Sequence, residues 1–487
     1  MEGVHRAILD GQGSVTAEIT ITRWRDLAKW APLVGLATEA PWPLVELRSI
    51  VSQVTPQAYD PEPDETVWFA GVRWYGEGLF VREERDGSQV KGNCYPLQPG
   101  LLVYNRLFAW KQSFAVVTPE FEGVVVSNEF PQFAVDEELA RTEFVALVCA
   151  SAKFAEVALM SSTGSTAVSR NRLHEVDFLD LEIPLPPLPE QTRIIARHKA
   201  DMAAAAVAAK AAEARSSVAW EAFADVLIEP PAEEVRAGGL ISVVRFADLS
   251  RWDKPGGETG LTFRHPEKRL EEIADIRLGV QVPRGNTARQ ARGGTPYLAS
   301  RNIRRGHVSL TDIRVMDMPQ SVVEALALRD DDLLFVEGSG SPAEVGRCAT
   351  WHGELEVCIH QNSVVRARLH DDSQVLPAFV EAWFNSGPGN EYIREQATTT
   401  SGLYHIGAGK LGGAPVPIPD APTQRELIAA LHQALAVANA DVHESRNLRA
   451  EARARIEIDV FGSAAEADEA DAEPEDFEDG ELAADAE

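Results

Sequence analysis

The sequence predicts an α+β fold: two tandem globular domains, each followed by a long helix, the two helices pairing as an antiparallel coiled coil with pseudo-twofold symmetry. Three observations carry that expectation. The chain matches itself at offsets that grow slowly from 222 to 233 residues. Two stretches of 38 residues, 191–228 and 424–461, contain neither Pro nor Gly. Each of these stretches follows a proline-rich strand and a region of short apolar runs separated by Gly, Pro and Asn.

The repeat comes first, because a missed repeat misreads a whole fold. Ile19, Arg23, Trp24, Asp26, Leu27 and Trp30 line up with Ile241, Arg245, Phe246, Asp248, Leu249 and Trp252 at offset 222. Leu44, Leu47 and Ile50 match Leu270, Ile273 and Ile276 at offset 226. Ile183-Pro184-Leu185-Pro186 matches Val416-Pro417-Ile418-Pro419, and Pro189 with Gln191 matches Pro422 with Gln424, at offset 233. A growing offset is what small loop insertions leave between two copies of one fold. Within each copy, strand-like runs such as Val124-Val125-Val126 and Asp332-Leu333-Leu334-Phe335-Val336 are bounded by turn residues.

A helix is expected after each proline-rich strand, with Pro at its start and Pro230-Pro231 or Gly462 at its end. In the first, Ile195, His198, Met202, Ala205, Ala209, Ala212, Ser216, Ala219, Phe223 and Val226 recur at alternating three- and four-residue spacing. In the second, Ile428, Leu431, Leu435, Ala438, Val442, Ser445, Ala452 and Ile456 form a comparable seam, broken by Arg449. Small residues on a seam let another helix approach closely. Such lengths exceed the usual globular helix, which favours pairing of the two helices over each packing on its own domain.

Composition fits this picture. At 487 residues the chain suits about three domains. No run of 18 apolar residues exists, the first residues lack a secretory pattern, and four Cys make no disulfide framework. A reducing cytoplasm with no membrane association is therefore expected. The net charge of −29 is unevenly spread: residues 463–487 hold 12 acidic and no basic residues. Without them the net charge is −17, from 46 basic against 63 acidic residues. That segment cannot bury enough apolar surface to offset its ordering entropy, so it reads as a disordered tail. It either only solvates the chain or competes with a polyanion for the basic loops.

Signatures of chemistry are weak. No Asn/Asp-Pro-Pro-Tyr/Phe string of amino-methyltransferases occurs, and Pro63-Asp64 lacks the Asp/Glu-x-Lys of a common nuclease core. Gly407, Gly409 and Gly412 spell a dinucleotide fingerprint by letter, but Pro415, Pro417 and Pro419 follow where a helix is needed. Lys410 makes no P-loop, because Leu411 follows it. Cys348, His352, Cys358 and His360 have the spacing of no common zinc module. Alternating Leu355, Val357 and Ile359 read instead as a strand with Cys358 and His360 on its other face. No metal, no catalytic residue and no cofactor are assigned to this chain.

Basic, amide-bearing and aromatic loops remain. In the first copy they carry Arg73, Trp74, Tyr75, Lys91, Asn93, Asn105, Arg106, Lys111, Arg170 and Arg172. In the second they carry Arg284, Asn286, Arg289, Arg292, Arg301, Asn302, Arg304, Arg305, Tyr404, His405 and Lys410. Between 284 and 305 there are six Arg and no acidic residue. Arg and Lys neutralise phosphates, and Arg and Asn make bidentate contacts to base edges. Double-stranded DNA is the partner such loops suit, although basic clusters also occur as solvated faces.

The string Pro184-Leu185-Pro186-Pro187-Leu188-Pro189-Glu190-Gln191, running into a long helix with Arg193, Ile194 and Ile195, resembles the junction in specificity subunits of type I restriction-modification systems. The second copy has a degenerate form, Pro417-Ile418-Pro419-Asp420-Ala421-Pro422-Thr423-Gln424, without Glu before Gln. Tyr297 to Ile303, Asp332 to Ser339, Gly346-Arg347 and His360-Gln361-Asn362 are similar to that family's recognition domains. The resemblance implies target recognition domains over 1–188 and 230–421, helices over 189–229 and 422–462, and the tail from 463. It implies a non-catalytic subunit that reads a bipartite DNA target. Its partners would be methyltransferase subunits, two of them, which supply the S-adenosylmethionine, together with restriction/translocase subunits. Two alternatives stay open: a recognition subunit of another phage-defence or DNA-modification system, and a helical scaffold that binds no DNA.

If the helices act as a ruler, their length sets the spacing of the two half-sites. A 38-residue helix is about 57 Å long, or about 17 base pairs of duplex. Deleting 203–209 together with 436–442 shortens each helix by about 10 Å. The spacer should shrink by up to about three base pairs with both half-sites unchanged, as methylation mapping would read. An unchanged spacer, or altered half-sites, would show that something other than helix length sets the register.

Overall fold

The structure, a computed structural model, describes residues 6–9, 15–19, 40–90, 92–162, 171–229, 261–281, 294–400 and 402–463. The match of 19–30 to 241–252 lies outside them except for Ile19, as does the acidic tail beyond Ser463. Two compact units divide the chain, Met1–Val207 with Glu444–Ala472 and Ala208–His443 with Glu473–Glu487. Both long helices form, over Leu188–Leu227 and Ala421–Phe461, and each unit contains half of each.

In the first unit an antiparallel sheet runs in the order Val51–Val54, Gln132–Val135, Leu102–Tyr104, Phe114–Val116. A second sheet contains Thr66–Val72 paired in parallel with Val125–Ser127, flanked by Leu79–Asp86 and Cys94–Pro96. The second unit repeats the plan. Ala274–Leu278, Val364–Leu369, Leu333–Val336 and Cys348–Thr350 form its antiparallel sheet. Thr295–Leu298 lies parallel to Ile359–His360 and antiparallel to Arg314–Met316. The α+β repeat expected from the sequence is what the chain adopts.

One step of the sequence alignment moves. Strand Leu44–Glu46 pairs with Glu182–Pro184, and Glu267–Arg269 pairs with Pro415–Pro417. The Leu47 N–H donates to the Leu181 carbonyl at 2.8 Å, and the Leu270 N–H donates to that of Ala414 at 2.9 Å. Leu47 is therefore the counterpart of Leu270, and Ile50 that of Ile273, at an offset of 223 rather than 226. All four are buried. Apolar residues three apart recur along this short turn, and a slip of one turn still superposes Leu and Ile on like residues. The hydrogen bonds decide the register.

Each core joins sheet and helix. In the first unit Tyr104, Phe114, Phe133, Phe154 and Phe178 form an aromatic cluster. Around it pack Ile194 and Ile195 of the first long helix and Ile456, Val460 and Phe461 of the second. In the second unit Phe335, Phe379, Trp383 and Phe384 pack with Ala219, Phe223 and Leu227 of the first helix and Leu431 of the second.

The helices run antiparallel within each unit. In the first, Ser445 Oγ donates to the Ala205 carbonyl at 2.8 Å, while Arg455 pairs with Asp201 at 2.6 Å and Arg197 with Asp459. In the second, Arg215 pairs with Asp441. Ala205, Ala212, Ala219, Ala438, Ser445 and Ala452 are all buried, as the small-residue seam predicts. Val226 is a correction. It is 42% exposed, and Leu227 is buried in its place, because the helix turns its final residue toward the second unit's core.

Gln191 and Gln424 occupy the fourth position of their helices and are fully buried. The Arg141 N–H donates to Gln191 Oε1 at 2.8 Å, and Gln191 Nε2 donates to the Pro186 and Leu139 carbonyls at 2.8 and 3.2 Å. In the other unit the Leu376 N–H donates to Gln424 Oε1 at 2.9 Å, and Nε2 donates to the Pro419 and Gln374 carbonyls at 2.8 and 3.3 Å. Arg141 and Leu376 are the residues just before the helices Thr142–Cys149 and Pro377–Asn385, neither of which has a side-chain cap. One amide thus ties the strand–helix junction to a second helix start and to a loop. Glu190, absent from the second copy, only pairs with Arg193 at the surface.

Replacing Gln191 or Gln424 by Ala strands one buried N–H and two carbonyls. Each substitution should cost about 1–3 kcal/mol in denaturant unfolding, and Gln→Glu should cost as much or more, because a carboxylate cannot donate. Losses below about 0.5 kcal/mol would show that the network is not what holds the junction.

Candidate nucleic-acid interface

In the first unit the strand Leu102–Tyr104 leads directly into Asn105 and Arg106. The segment carrying Arg172 runs beside it. The Leu173 N–H donates to the Arg106 carbonyl at 3.1 Å, and the Tyr104 hydroxyl donates to the Leu173 carbonyl at 2.9 Å. Burial pushes the pKa of that phenol well up, so it stays a donor. Asn105 Oδ1 accepts from the Leu107 N–H at 3.0 Å, which shapes the turn. Arg106 pairs with Glu175, both largely covered, and Arg172 pairs with Glu129 at 2.9 Å. The Arg106 N–H also donates to the Glu129 carbonyl at 3.0 Å. Asn105, Arg106 and Arg172 are therefore brought together, with Arg106 Nε and Glu129 Oε2 buried and without a hydrogen-bond partner.

A second group stands apart from these three. Lys111 Nζ lies 5.2 Å from the Trp74 ring, 5.1 Å from that of Trp110 and 6.0 Å from that of Tyr75, a cation–π arrangement. Tyr75 takes a left-handed φ of 55° and lies 5.5 Å from the Arg453 guanidinium. Arg449 and Arg453, both on the second long helix, reach Glu77 at 3.2 Å. Arg449, which breaks the apolar seam in the sequence, therefore serves as a tether from helix to loop. Trp74, Tyr75 and Lys111 thus line the face that carries this helix. Arg73 stacks on Phe80 at 4.6 Å, and Asn93 is exposed. Lys91 and Arg170 lie outside the described residues.

The second unit builds the same platform from different residues. Glu337 follows Leu333–Val336, and the Ile406 N–H donates to the Glu337 carbonyl at 2.8 Å, as Leu173 does to Arg106. Strand Gly338–Ser339 pairs with Leu403–His405, which pairs in turn with Thr398–Thr400. His405 approaches Glu337 at 3.5 Å. A Cβ on Gly338 would meet the His405 ring at 2.6 Å, so any side chain there would have to displace that ring. Lys410 does not reach this strand pair but donates to the Gln396 carbonyl at 2.8 Å. It sits in the five-residue helix Ala408–Gly412, which lies between the strands Leu403–His405 and Pro415–Pro417.

Beside this platform, Arg347 is buried and acts as a bracket. Its Nε donates to the Ile303 carbonyl at 2.6 Å, Nη2 to the Ser300 carbonyl at 3.0 Å, and Nη1 pairs with Glu344 at 3.0 Å. That fixes the turn bearing Arg301, Asn302, Arg304 and Arg305. Arg301 pairs with Asp312 at 2.7 Å, and Arg305 reaches the Ala343 carbonyl and Glu344. Arg304 is half-buried. Asn302 is 2% exposed: Oδ1 accepts from the Ala299 N–H at 3.0 Å and Nδ2 donates to the Ser309 carbonyl at 3.1 Å, so its polar atoms are spent inside the protein. Arg284, Asn286, Arg289 and Arg292 fall outside the described residues.

The expected strand through Leu355, Val357 and Ile359 is a correction. Only Ile359–His360 is a strand, and Cys358, Ile359 and His360 are all buried, so the alternation does not separate two faces. Residues 354–357 form a bend instead, because Gly353 takes a left-handed φ of 73° and starts a surface turn. Burial pushes Cys358 up to about 12. His360 donates from Nδ1 to the Val364 carbonyl at 3.0 Å, leaving Nε2 buried without a partner. Burial, aided by Arg366 and Arg368, lowers its pKa to about 4.

What sequence reasoning missed are the carboxylates: Glu129, Glu175, Asp312, Glu337 and Glu344 each face a candidate cation. Several lie far from their partner in sequence, and the only available signal was that a strongly acidic chain has acids to spare for its basic loops.

Fold and site define a class, a tandem-repeat protein in which two α+β units each present polar, arginine-bearing loops. No family profile matches the chain. It is 27% identical over 283 residues to the type I restriction enzyme EcoKI specificity subunit of Escherichia coli (strain K12), a match that covers 57% of this chain and 56% of that protein. The chain thus spans about half the length of the curated relative it matches. In structure it aligns to a chain of a type I restriction-modification system described for its complex assembly and conformational transition. That alignment has a TM-score of 0.50 at 20% identity and covers 87% of this chain and 99% of the other. The S subunits from Thermoanaerobacter tengcongensis and M. genitalium align at TM-scores of only 0.34 and 0.36, with 19% and 11% identity over 86% and 88% of this chain and 97% and 98% of theirs. The chain is related to the specificity subunits of type I restriction-modification systems.

Two outcomes follow from the geometry. Asn302→Ala should cost about 1–3 kcal/mol of stability, while Arg301→Ala should stay within about 0.5 kcal/mol; equal effects in a melt would contradict the assignment of Asn302 to the turn's interior. His360 is neutral in the fold and basic when unfolded, so its contribution is complete above about pH 6.5 and is lost as pH falls toward 4. A His360→Gln variant should flatten up to about 3 kcal/mol of that acid limb, and an unchanged limb would show that other groups set it.

Proposed function

We propose that this chain is the DNA sequence-specificity subunit of a type I restriction-modification complex, reading a bipartite duplex target with one recognition domain per half. The observation that carries the reading is the repetition of one platform. In both units the loop after a central strand and the segment before the proline-rich strand are zipped together by the same backbone bond. Each platform carries polar or cationic side chains held on a rigid sheet. Arg and Lys there neutralise phosphates and fix the register, while guanidinium and imidazole edges reach base edges in the major groove.

The chain's part is recognition and positioning, with no bond made or broken by it. Modification subunits, two in number and docked on the helices, carry S-adenosylmethionine and flip the target base out of the duplex. Restriction/translocase subunits complete the complex in the cytoplasm. In line with this setting, among the described residues no single helix is long and apolar enough to cross a membrane.

Methylome sequencing of cells with and without the chain tests the reading. The expected result is a bipartite motif methylated only when the chain is present. A gel shift of the chain with its methyltransferase, at stated salt, should then show that duplex bound far more tightly than random sequence. Equal affinity for all duplexes, with no motif lost from the methylome, would overturn it.

A further inference from the structure

Four of the described arginines in the basic loops share one property that DNA recognition does not require. Arg106 pairs with Glu175, Arg172 with Glu129, Arg301 with Asp312, and Arg305 with Glu344. Asp312 also lies 3.6 Å from Arg314. The carboxylates come from different parts of the fold, so the pairing is not a by-product of one helix face. Arg172 and Arg301 are the most open of the four, with 48% and 36% of their side chains exposed. Their partners differ: Glu129 is 20% exposed and Asp312 61%. A carboxylate oxygen and a phosphate oxygen compete for the same guanidinium fork.

We infer that Glu129 and Asp312 act as internal phosphate competitors that lower the affinity of the chain for duplex DNA. They hold Arg172 and Arg301 in ion pairs that a duplex must displace, and this inference rests on the DNA-recognition reading above. Non-specific DNA offers only phosphate, so exchanging one anion for another gains little. A correct half-site adds base-edge contacts that make the exchange favourable. Opening each pair is a cost of the free chain, so the masks weaken binding to both duplexes, and to the motif at least as much, because there the arginine always leaves its pair. The Arg301–Asp312 pair, with its carboxylate 61% exposed, is of the surface kind that is individually weak and opens readily.

The test uses the full chain with its methyltransferase, a random-sequence duplex, and a duplex carrying the methylated motif. The variants are Glu129→Gln in one unit and Asp312→Asn in the other, nearly isosteric changes each removing one charge. Glu182→Gln, an exposed acid on the strand Glu182–Pro184, serves as a charge-matched control. Each mask variant should bind the random duplex about two- to fivefold more tightly. Its log K against log salt should steepen by about 0.9, the slope of one further phosphate neutralised by the freed arginine. Affinity for the motif should rise by at least as much, and the control should change neither quantity.

Unchanged random-duplex affinity and slope in both variants would overturn the inference. So would weaker binding, which would mean that the carboxylates orient the arginines, and so would an equal rise in the control, which would mean that net charge alone acts. Failure of the wild-type complex to prefer its motif would instead overturn the DNA-recognition reading, whatever the variants do.

Discussion

A buried carboxamide at the fourth position of each long helix is the constraint on which the rest of each unit depends. Gln191 and Gln424 each make three hydrogen bonds, to the link between strand and helix, to a loop, and to the residue heading a second helix. A carboxamide suits this place because it accepts and donates at once. The preceding prolines set the entry angle, and Pro189 and Pro422 sit in the first turn, where no N–H is needed. With the junction fixed, the strands Glu182–Pro184 and Pro415–Pro417 can pair only with Leu44–Glu46 and Glu267–Arg269. These in turn lead into the first strand of each antiparallel sheet.

From that anchor the helices gain their own partners. Glu457 on the second long helix accepts from the Ala152 N–H at 2.8 Å, at the start of the helix Ala152–Ser161, where a carboxylate is favoured by the exposed N–H groups. Trp42 Nε1 donates to the Asp459 carbonyl at 2.8 Å near the same helix end. The core of the first unit is therefore closed by residues more than 300 positions away in the chain. Small seam residues such as Ala205 and Ser445 bring the backbones near enough for Ser445 to bond a carbonyl of the facing helix. A larger residue at 205 would remove that bond and the packing together.

Local signals made much of this legible. Periodicity placed both helices and nearly all of their seams, because a seam of small and apolar residues has few other uses. The proline-rich strands announced the junctions. Long-range partners were not legible: the slip from offset 226 to 223 arose because Leu and Ile recur at three-residue spacing, and only the backbone bonds of Leu47 and Leu270 distinguish the registers. Arg449 looked like a defect in the seam until Glu77, on a loop remote in sequence, supplied its partner. Asn302 illustrates the same limit at the candidate site. An Asn beside arginines suggests base contact by residue type, and burial alone reveals that it is spent holding its own turn.

The same limit explains why net charge misleads for this chain. A total of −29 describes what a distant ion feels, whereas a duplex at contact meets individual side chains within a Debye length of about 10 Å. Among the described residues, four arginines of the basic loops are held by carboxylates, so their charge is offset until one partner is displaced. Such pairing weakens long-range steering, and binding then rests more on short-range contacts that a matching surface provides. An acidic protein with paired arginines is in this sense suited to reading a polyanion selectively, and a uniformly basic one is suited to holding any polyanion at all.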